Sequence, residues 1–313
     1  MNKKTVKDVD FAGKRVLMRV DFNVPISDGQ IGDDTRIEAA LPTIKYVLDQ
    51  GASLVLMSHL GRPKGQVKLE FSLQPVAEAL GAKLGKPVAF APDCIGPEVA
   101  TMASALNPGD VLLLENLRFH PEEEGKAKPA DGASDEEKAA AKAEMKARQQ
   151  DFAKELAALG DVFVNDAFGT AHRAHASCAV VTEHFEDKVA GFLLEKEIDY
   201  LGNALAEPKR PFVAIIGGAK ISGKIDVITA LMEKVDALLI GGGMAYTFFQ
   251  AQGRGIGRSL LEADKVDLAK EILEQAEGKG LQFLLPVDNV VADEFDAGAN
   301  TRVVAGEDIK DPW

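Results

Sequence analysis

Residues 211–232, PFVAIIGGAKISGKIDVITALM, decide the fold. The apolar, β-branched run over 212–216 reads as a strand, Gly217 and Gly218 end it, and an amphipathic segment after Lys224 reads as a helix. From Gly218 the order G-A-K-I-S-G-K-I fits the G-x-x-x-x-G-K-[ST] phosphate loop everywhere but its last place. There Ile225 stands where a hydroxyl ligand to Mg²⁺ belongs. A strand that passes through glycines into a helix is the unit of a parallel α/β sheet. The glycines let backbone approach a phosphate closely, and the helix N-terminus beyond them offers free N–H groups.

The same unit repeats outward from this stretch. ALLIGGG (237–243) leads into MAYTF, a second strand–glycine–helix turn. Upstream strand-like runs are RVLMRVDF (15–22), SLVLMSH (53–59), PVAFA (87–91), DVLLLENL (110–117) and DVFVNDAF (161–168). Downstream are FLLPVDNVV (283–291) and TRVVA (301–305). Several are apolar on both faces, as in parallel strands covered by helices on each side. Amphipathic helical stretches such as 36–51 and 265–280 alternate with them, the latter with Gly280 as a stop. The pattern predicts an α/β protein of two Rossmann-like three-layer domains with mainly parallel sheets. Segment 121–158 breaks the rhythm as a surface loop followed by a solvated helix capped by Ser134 or Asp135. The helical pattern over 193–211, ending in Pro211, is the expected connector, giving domains 1–185 and 186–313. The second has about four strands and closes on a loop, so it is expected to be incomplete.

Composition bounds the function. Hydrophobic content of 46% with 27% charged residues supports a sizeable core in a soluble protein. The net charge of −13 argues against broad nucleic-acid or anionic-membrane binding, so a basic cluster should be local and purposeful. Cys94 and Cys178 form neither a disulfide framework nor a metal set and read as thiols in a reducing compartment. No apolar run approaches the ~18 residues of a membrane span, and the first residues lack a signal-peptide core. The expectation is a cytoplasmic protein.

Polar and basic residues follow the strand-like runs of the first half: VDFN (20–23), SHLGRP (58–63), NLRF (116–119) and NDAFGTAHRAH (165–175). Ligands of open α/β sheets bind beyond the carboxyl ends of the strands. His59 with Arg62, Arg118, and His172 with Arg173 stand at such ends, and Arg36 follows a Gly/Asp turn near them. Arginines in this arrangement suit a small, multiply charged anion, because each guanidinium can hold two oxygens. Taken singly, each also reads as a surface ion pair. Asp21 and Asn23 read equally as turn formers or as partners for hydroxyls on such an anion. His120 and His184 read as surface residues. In the second half Lys220 and Lys224, four apart, share a face if both are helical.

The motifs RVDFNVP, SHLGRP, ENLRFHPEEEG, VNDAFGTAHRAH, IGGAKISGKI and IGGGMAYTF, in this order over essentially the whole chain, resemble the phosphoglycerate kinase family. That resemblance implies an enzyme of glycolysis. It transfers a phosphoryl group reversibly between ATP and the carboxylate of 3-phosphoglycerate, giving 1,3-bisphosphoglycerate and ADP with Mg²⁺ bound to the nucleotide. It also implies an N-terminal glycerate domain, a C-terminal nucleotide domain, hinge closure between them, and a monomer when complete. By the resemblance Asp21, Phe22, Asn23, Arg36, His59, Leu60, Gly61, Arg62, Arg118 and Arg173 hold the glycerate substrate. Gly218, Ala219, Lys220, Lys224 and Gly242 hold the nucleotide, and Arg36 and Lys220 are the catalytic pair. A carboxylate nucleophile is ionised at neutral pH, so the chemistry requires positioning and charge neutralisation rather than a general base. Family members continue past Trp313, so a truncated chain with impaired turnover, binding 3-phosphoglycerate only, is the alternative expectation. A dinucleotide site is opposed by the absent G-x-G-x-x-G spacing, and a true P-loop by Ile225.

Overall fold

In a computed structural model, residues 3–27, 29–305, 309–311 and 313 are described. The chain divides into two compact units, Met1–Gly202 and Asn203–Trp313.

The first unit begins with β1 (Arg15–Arg19), a short hairpin β2 (Ile26–Ser27) and β3 (Gln30–Ile31), α1 (Thr35–Asp49) and β4 (Ser53–Met57). There follow α2 (Gln74–Leu84), β5 (Ala89–Phe90), α3 (Pro97–Ser104), β6 (Val111–Leu113) and the single turn α4 (Pro121–Glu124). The long α5 (Asp135–Ala157), β7 (Val162–Asn165), α6 (Phe168–Ala171), β8 (Lys188–Ala190) and α7 (Phe192–Ala206) come next, and the boundary after Gly202 falls within α7. The six main strands form one parallel sheet in the order β5-β6-β4-β1-β7-β8. The chain winds from β1 towards β4 on one side and returns to β7 on the other, which makes the β1/β7 boundary a topological switch point.

Successive strand residues point to opposite faces, and both faces are buried. Val16, Met18, Leu54, Leu56, Leu113 and Val164 enter one core with Ile37, Ile44, Val76 and Leu80 from α1 and α2. Leu17, Val55, Met57, Leu112 and Phe163 enter the other with Val99, Phe152 and Leu156 from α3 and α5. The continuous apolar runs of the sequence are thus strands sandwiched between helices. Ser134 caps α5 in a reciprocal box: its Oγ accepts from Glu137 N–H at 3.2 Å, and its own N–H donates to Glu137 Oε2 at 2.7 Å. Only Gln149 and later residues of α5 are buried, in keeping with its charged sequence.

The second unit contains β9 (Val213–Gly217), α8 (Ile225–Met232), β10 (Ala237–Gly241), α9 (Ala245–Ala251), α10 (Val266–Gly278), β11 (Gln282–Leu284), β12 (Asp288–Ala292) and β13 (Thr301–Ala305). A parallel sheet β11-β10-β9 packs on Ile228, Met232, Phe248 and Ile272. Two details differ from the sequence reading. The run 283–291 is two strands, split around Pro286, and β12 pairs with β13 in a separate antiparallel ribbon. In addition, the three-residue edge strand β8 is too short to show a periodicity. Among the described residues, no helix is long and apolar enough to cross a membrane.

Leu56→Ala, at a fully buried strand position, should lower first-unit stability by about 2–5 kcal/mol. Val290→Ala, on the exposed face of β12, should cost less than about 0.5 kcal/mol. Denaturant midpoints of the two variants check the contrast.

Candidate functional site

The carboxyl ends of β1, β4, β6 and β7 feed four loops around a cavity of about 540 Å³ lined by Asn23, His59, Gly61, Arg62, Arg118 and Arg173, with Lys64, Lys126 and Lys128 along one part and Glu124 as its acid. Each wall is held by local chemistry. Asn116, just past β6, caps the turn Leu117–Phe119 by accepting from Arg118 N–H at 3.0 Å. Its amide donates to the carbonyls of Leu60 and Phe71 at 2.8 and 2.9 Å, which pins the loop after β4. Gly61 there has φ +59° and donates to Asn23 Oδ1 at 2.8 Å; a Cβ would lie 2.4 Å from the Phe71 ring. Only glycine fits.

Arg118 is nearly buried and donates from Nη1 to the Gly61 carbonyl at 2.8 Å, with Glu124 3.6 Å from its Nε. Among the described residues neither Arg118 Nε nor Arg173 Nε has a hydrogen-bond partner, although both atoms are buried. An unmet buried donor costs roughly 1–3 kcal/mol, more when charged. The three arginines and three lysines around this cavity suit an anion. His59 presents a neutral ring: Arg19 Nη2 lies 3.0 Å from its Nδ1 and, having only protons to offer, makes that nitrogen the acceptor and leaves the ring proton on Nε2. Burial, then the positive charges of Arg19 and Arg118, push its pKa down to about 2.

The predicted glycerate residues therefore separate. Asn23, His59, Gly61, Arg62, Arg118 and Arg173 share the cavity. Arg36 and Asp21 line a neighbouring cavity of about 300 Å³, where Arg36 Nη1 donates to Asp21 Oδ2 at 2.5 Å. Phe22 is a correction: its ring is fully buried in the core, and its N–H donates to Ser58 Oγ at 2.9 Å. Leu60 is another, as its side chain is core and its N–H and carbonyl are both taken by Asn116. His172 is exposed. His120, read as a surface residue, instead lines the cavity and pairs with Asp93 at 2.6 Å, a contact that raises its pKa.

Sequence reasoning missed Arg19, Glu123, Ser177 and Asp166. Arg19 ends β1 within the apolar run 15–22, and that charge in a buried run was the available signal. Asp166, the residue directly after β7, accepts at Oδ1 from the N–H groups of Leu193 and Leu194 at 2.9 and 3.2 Å, so it caps α7. Burial raises its carboxyl pKa despite these bonds.

In the second unit the two glycine turns pack on each other. Gly242 has φ +70°, and a Cβ there would lie 2.9 Å from Gly218 N and O; Met244 N–H donates to the Gly218 carbonyl at 2.8 Å. The glycines thus serve turn-on-turn packing as well as an open backbone. Neither lysine is helical, because α8 begins at Ile225, so the shared helical face does not exist. Lys224 instead folds back over Gly218. Ile225 packs against the core. Glu262 accepts from Ile221 N–H at 2.6 Å, Ser222 N–H at 3.1 Å and Ser222 Oγ at 2.6 Å. The serine hydroxyl first, and then these amides, hold the Glu262 carboxyl below its usual range.

Fold and site define a class: a two-unit parallel α/β protein with a cationic cavity at the carboxyl edge of one sheet and paired strand–glycine–helix turns on another. The phosphoglycerate kinase family profile matches residues 6–313. The phosphoglycerate kinase of Chloroherpeton thalassium is 58% identical over the whole chain, and that of Moorella thermoacetica 56%. This chain spans 73% and 74% of their lengths. The solved phosphoglycerate kinase structure from Coxiella burnetii aligns at TM-score 0.75 and 39% identity, covering 98% of this chain and 72% of that one. That from Pyrococcus horikoshii gives 0.77 and 30%, over 96% of this chain and 71% of that one. The chain belongs to the phosphoglycerate kinase family.

Two variants test the cavity. Because the folded His59 pKa lies below the unfolded value near 6.5, acidification protonates the unfolded chain first. His59 therefore removes stability progressively as pH falls from about 6.5, by at most about 1.4 kcal/mol per pH unit. His59→Gln should flatten the dependence of denaturant midpoint on pH between 6 and 4. Gly61→Ala should destabilise the first unit by about 1–3 kcal/mol through the Phe71 clash and the positive φ, readable in the same melts.

Proposed function

We propose that this chain takes part in reversible phosphoryl transfer between ATP and the carboxylate of 3-phosphoglycerate, giving 1,3-bisphosphoglycerate and ADP. The observation that carries the reading is the cavity lined by Arg62, Arg118 and Arg173 beside the neutral ring of His59. A phosphorylated three-carbon acid is a compact polyanion that suits such a lining. In this reading Arg62, Arg118 and Arg173 hold its charged groups, His59 donates from Nε2, and Asn23 with Asp21 meets its hydroxyl. Arg36 leaves Asp21 to neutralise charge on the transferring oxygens. In the second unit Lys220 contacts the transferring phosphoryl and Lys224 the phosphates that remain, while Gly218, Ala219 and Gly242 provide backbone. The acceptor carboxylate is already ionised, so the side chains position reactants and stabilise spreading charge.

Mg²⁺ accompanies nucleotide in this family, and it takes oxygen ligands, commonly carboxylates together with phosphates. The carboxylates beside the glycine turns do not fit a protein-held site: Glu262 is engaged by the Ile221–Ser222 turn and Asp264 by Lys265 at 3.1 Å.

The Glu262 contacts also favour a second reading, in which the chain binds 3-phosphoglycerate without turning it over, because a carboxylate already occupies amides suited to a phosphate. Calorimetry with 3-phosphoglycerate and ADP separately distinguishes the two. Under the main reading both bind, and a coupled assay shows turnover that Lys220→Met lowers by roughly 10²–10³-fold with glycerate affinity unchanged. Under the second only 3-phosphoglycerate binds, and Glu262→Gln restores nucleotide affinity. Under either, Arg118→Met and Arg173→Met should each weaken 3-phosphoglycerate by at least about tenfold, or ~1.4 kcal/mol; unchanged affinity refutes the anion site.

A further inference from the structure

Asp93 and Cys94 follow β5 in the loop leading to α3, and His120 stands 26 positions beyond Cys94, before α4. The fold nevertheless places one ligand atom from each within 4.8 Å of the others. We propose that Asp93, Cys94 and His120 form a binding site for a zinc-like divalent cation.

The donor set selects the metal class. One imidazole nitrogen, one sulfur and one carboxylate oxygen suit Zn²⁺ or Co²⁺, whereas Mg²⁺ and Ca²⁺ require oxygen ligands. The site is therefore chemically distinct from that of a nucleotide-bound Mg²⁺. Three protein ligands leave a fourth position for water, and the side chains of Asp93 and His120 are 48% and 26% exposed, which gives an ion a route in. Cys94 forms the fully buried floor.

The scaffold is held before any ion arrives. Ala91 N–H donates to the Leu113 carbonyl at 2.9 Å and Glu115 N–H to the Asp93 carbonyl at 3.3 Å, tying the loop to the end of β6. The His120 ring lies against Phe152 with centroids 5.3 Å apart, and His120 N–H donates to the Leu117 carbonyl at 3.2 Å. Glu122 and Glu155 act on His120, and Glu123 on Cys94, which favours a cation between them. Today His120 Nε2 and Asp93 Oδ1 share a proton across 2.6 Å. A cation takes its place between them with bonds of about 2.0–2.3 Å. The thiol proton and the shared proton pass to buffer, leaving thiolate, neutral imidazole and carboxylate as ligands.

The test titrates the intact chain with Zn²⁺ against a chromophoric chelator in excess Mg²⁺, and with Co²⁺ for its spectrum. Expected are one strong site, a tetrahedral cobalt spectrum with a thiolate charge-transfer band, and a zinc-induced rise in melting temperature. His120→Gln and Asp93→Asn, at partly exposed positions that spare the core, should each weaken Zn²⁺ at least tenfold and remove that rise. Cys94→Ser should abolish the charge-transfer band, whereas Cys178→Ser, at the other buried thiol, should leave every reading unchanged. The proposal is overturned if the wild-type band is absent, if it survives Cys94→Ser, or if zinc affinity is the same in folded His120→Gln.

Discussion

A guanidinium with no exposed surface governs the carboxyl edge of the first sheet. Arg19 ends β1, and its Nε donates to Ser177 Oγ at 3.0 Å, Nη1 to the Val20 carbonyl, and Nη2 to His59. Ser177 Oγ in turn donates to Glu123 Oε1 at 2.7 Å, and Ser177 N–H to Oε2 at 3.0 Å. Glu123 is also fully buried, so the two opposite charges are joined through a hydroxyl rather than in direct contact. A buried ion costs several kcal/mol unless it is paired and hydrogen-bonded. The loops after β1, β4 and β7 and the turn α4 must therefore close on this network, and the cavity wall is the outer surface of that closure.

The same network sets the character of the site. Arg19 makes His59 Nδ1 an acceptor and, with burial, keeps the ring neutral, so His59 acts as a hydrogen-bond donor at Nε2 and not as a cation. The cavity's positive charge comes from Arg62, Arg118, Arg173 and the lysines beside them. The space they line is bounded by backbone that Asn116 and Asn23 have already engaged. In the second unit Glu262 holds amides of the lysine-bearing turn, so that half begins from a more satisfied state.

Much of this was readable along the chain. Continuous apolar runs at 15–19, 53–57 and 162–165 marked buried parallel strands, and Ser134 with Glu137 marked the start of α5. His59, Arg62, Arg118 and Arg173 were legible because open parallel sheets place their ligands at strand ends. Phe22 and Leu60 were not separable from Asn23 and Gly61, since residues adjacent along a loop can face the core or the cavity. Nor were the roles of Asp93 and His120 readable, because their pairing depends on the register of β5 beside β6.

The sequence alone therefore determined the family, the α/β class and the kinds of side chain delivered to each strand end, since those follow from local pattern and motif identity. Only the tertiary structure decided which of them meet. It buried Arg19 with Glu123, gathered Arg62, Arg118 and Arg173 around one cavity, and pressed Gly218 against Gly242. It also turned Ile225 into the core and paired Arg36 with Asp21 beside the cavity. Desolvation and hydrogen-bond satisfaction depend on neighbours distant in sequence, and strand order and register set those neighbours.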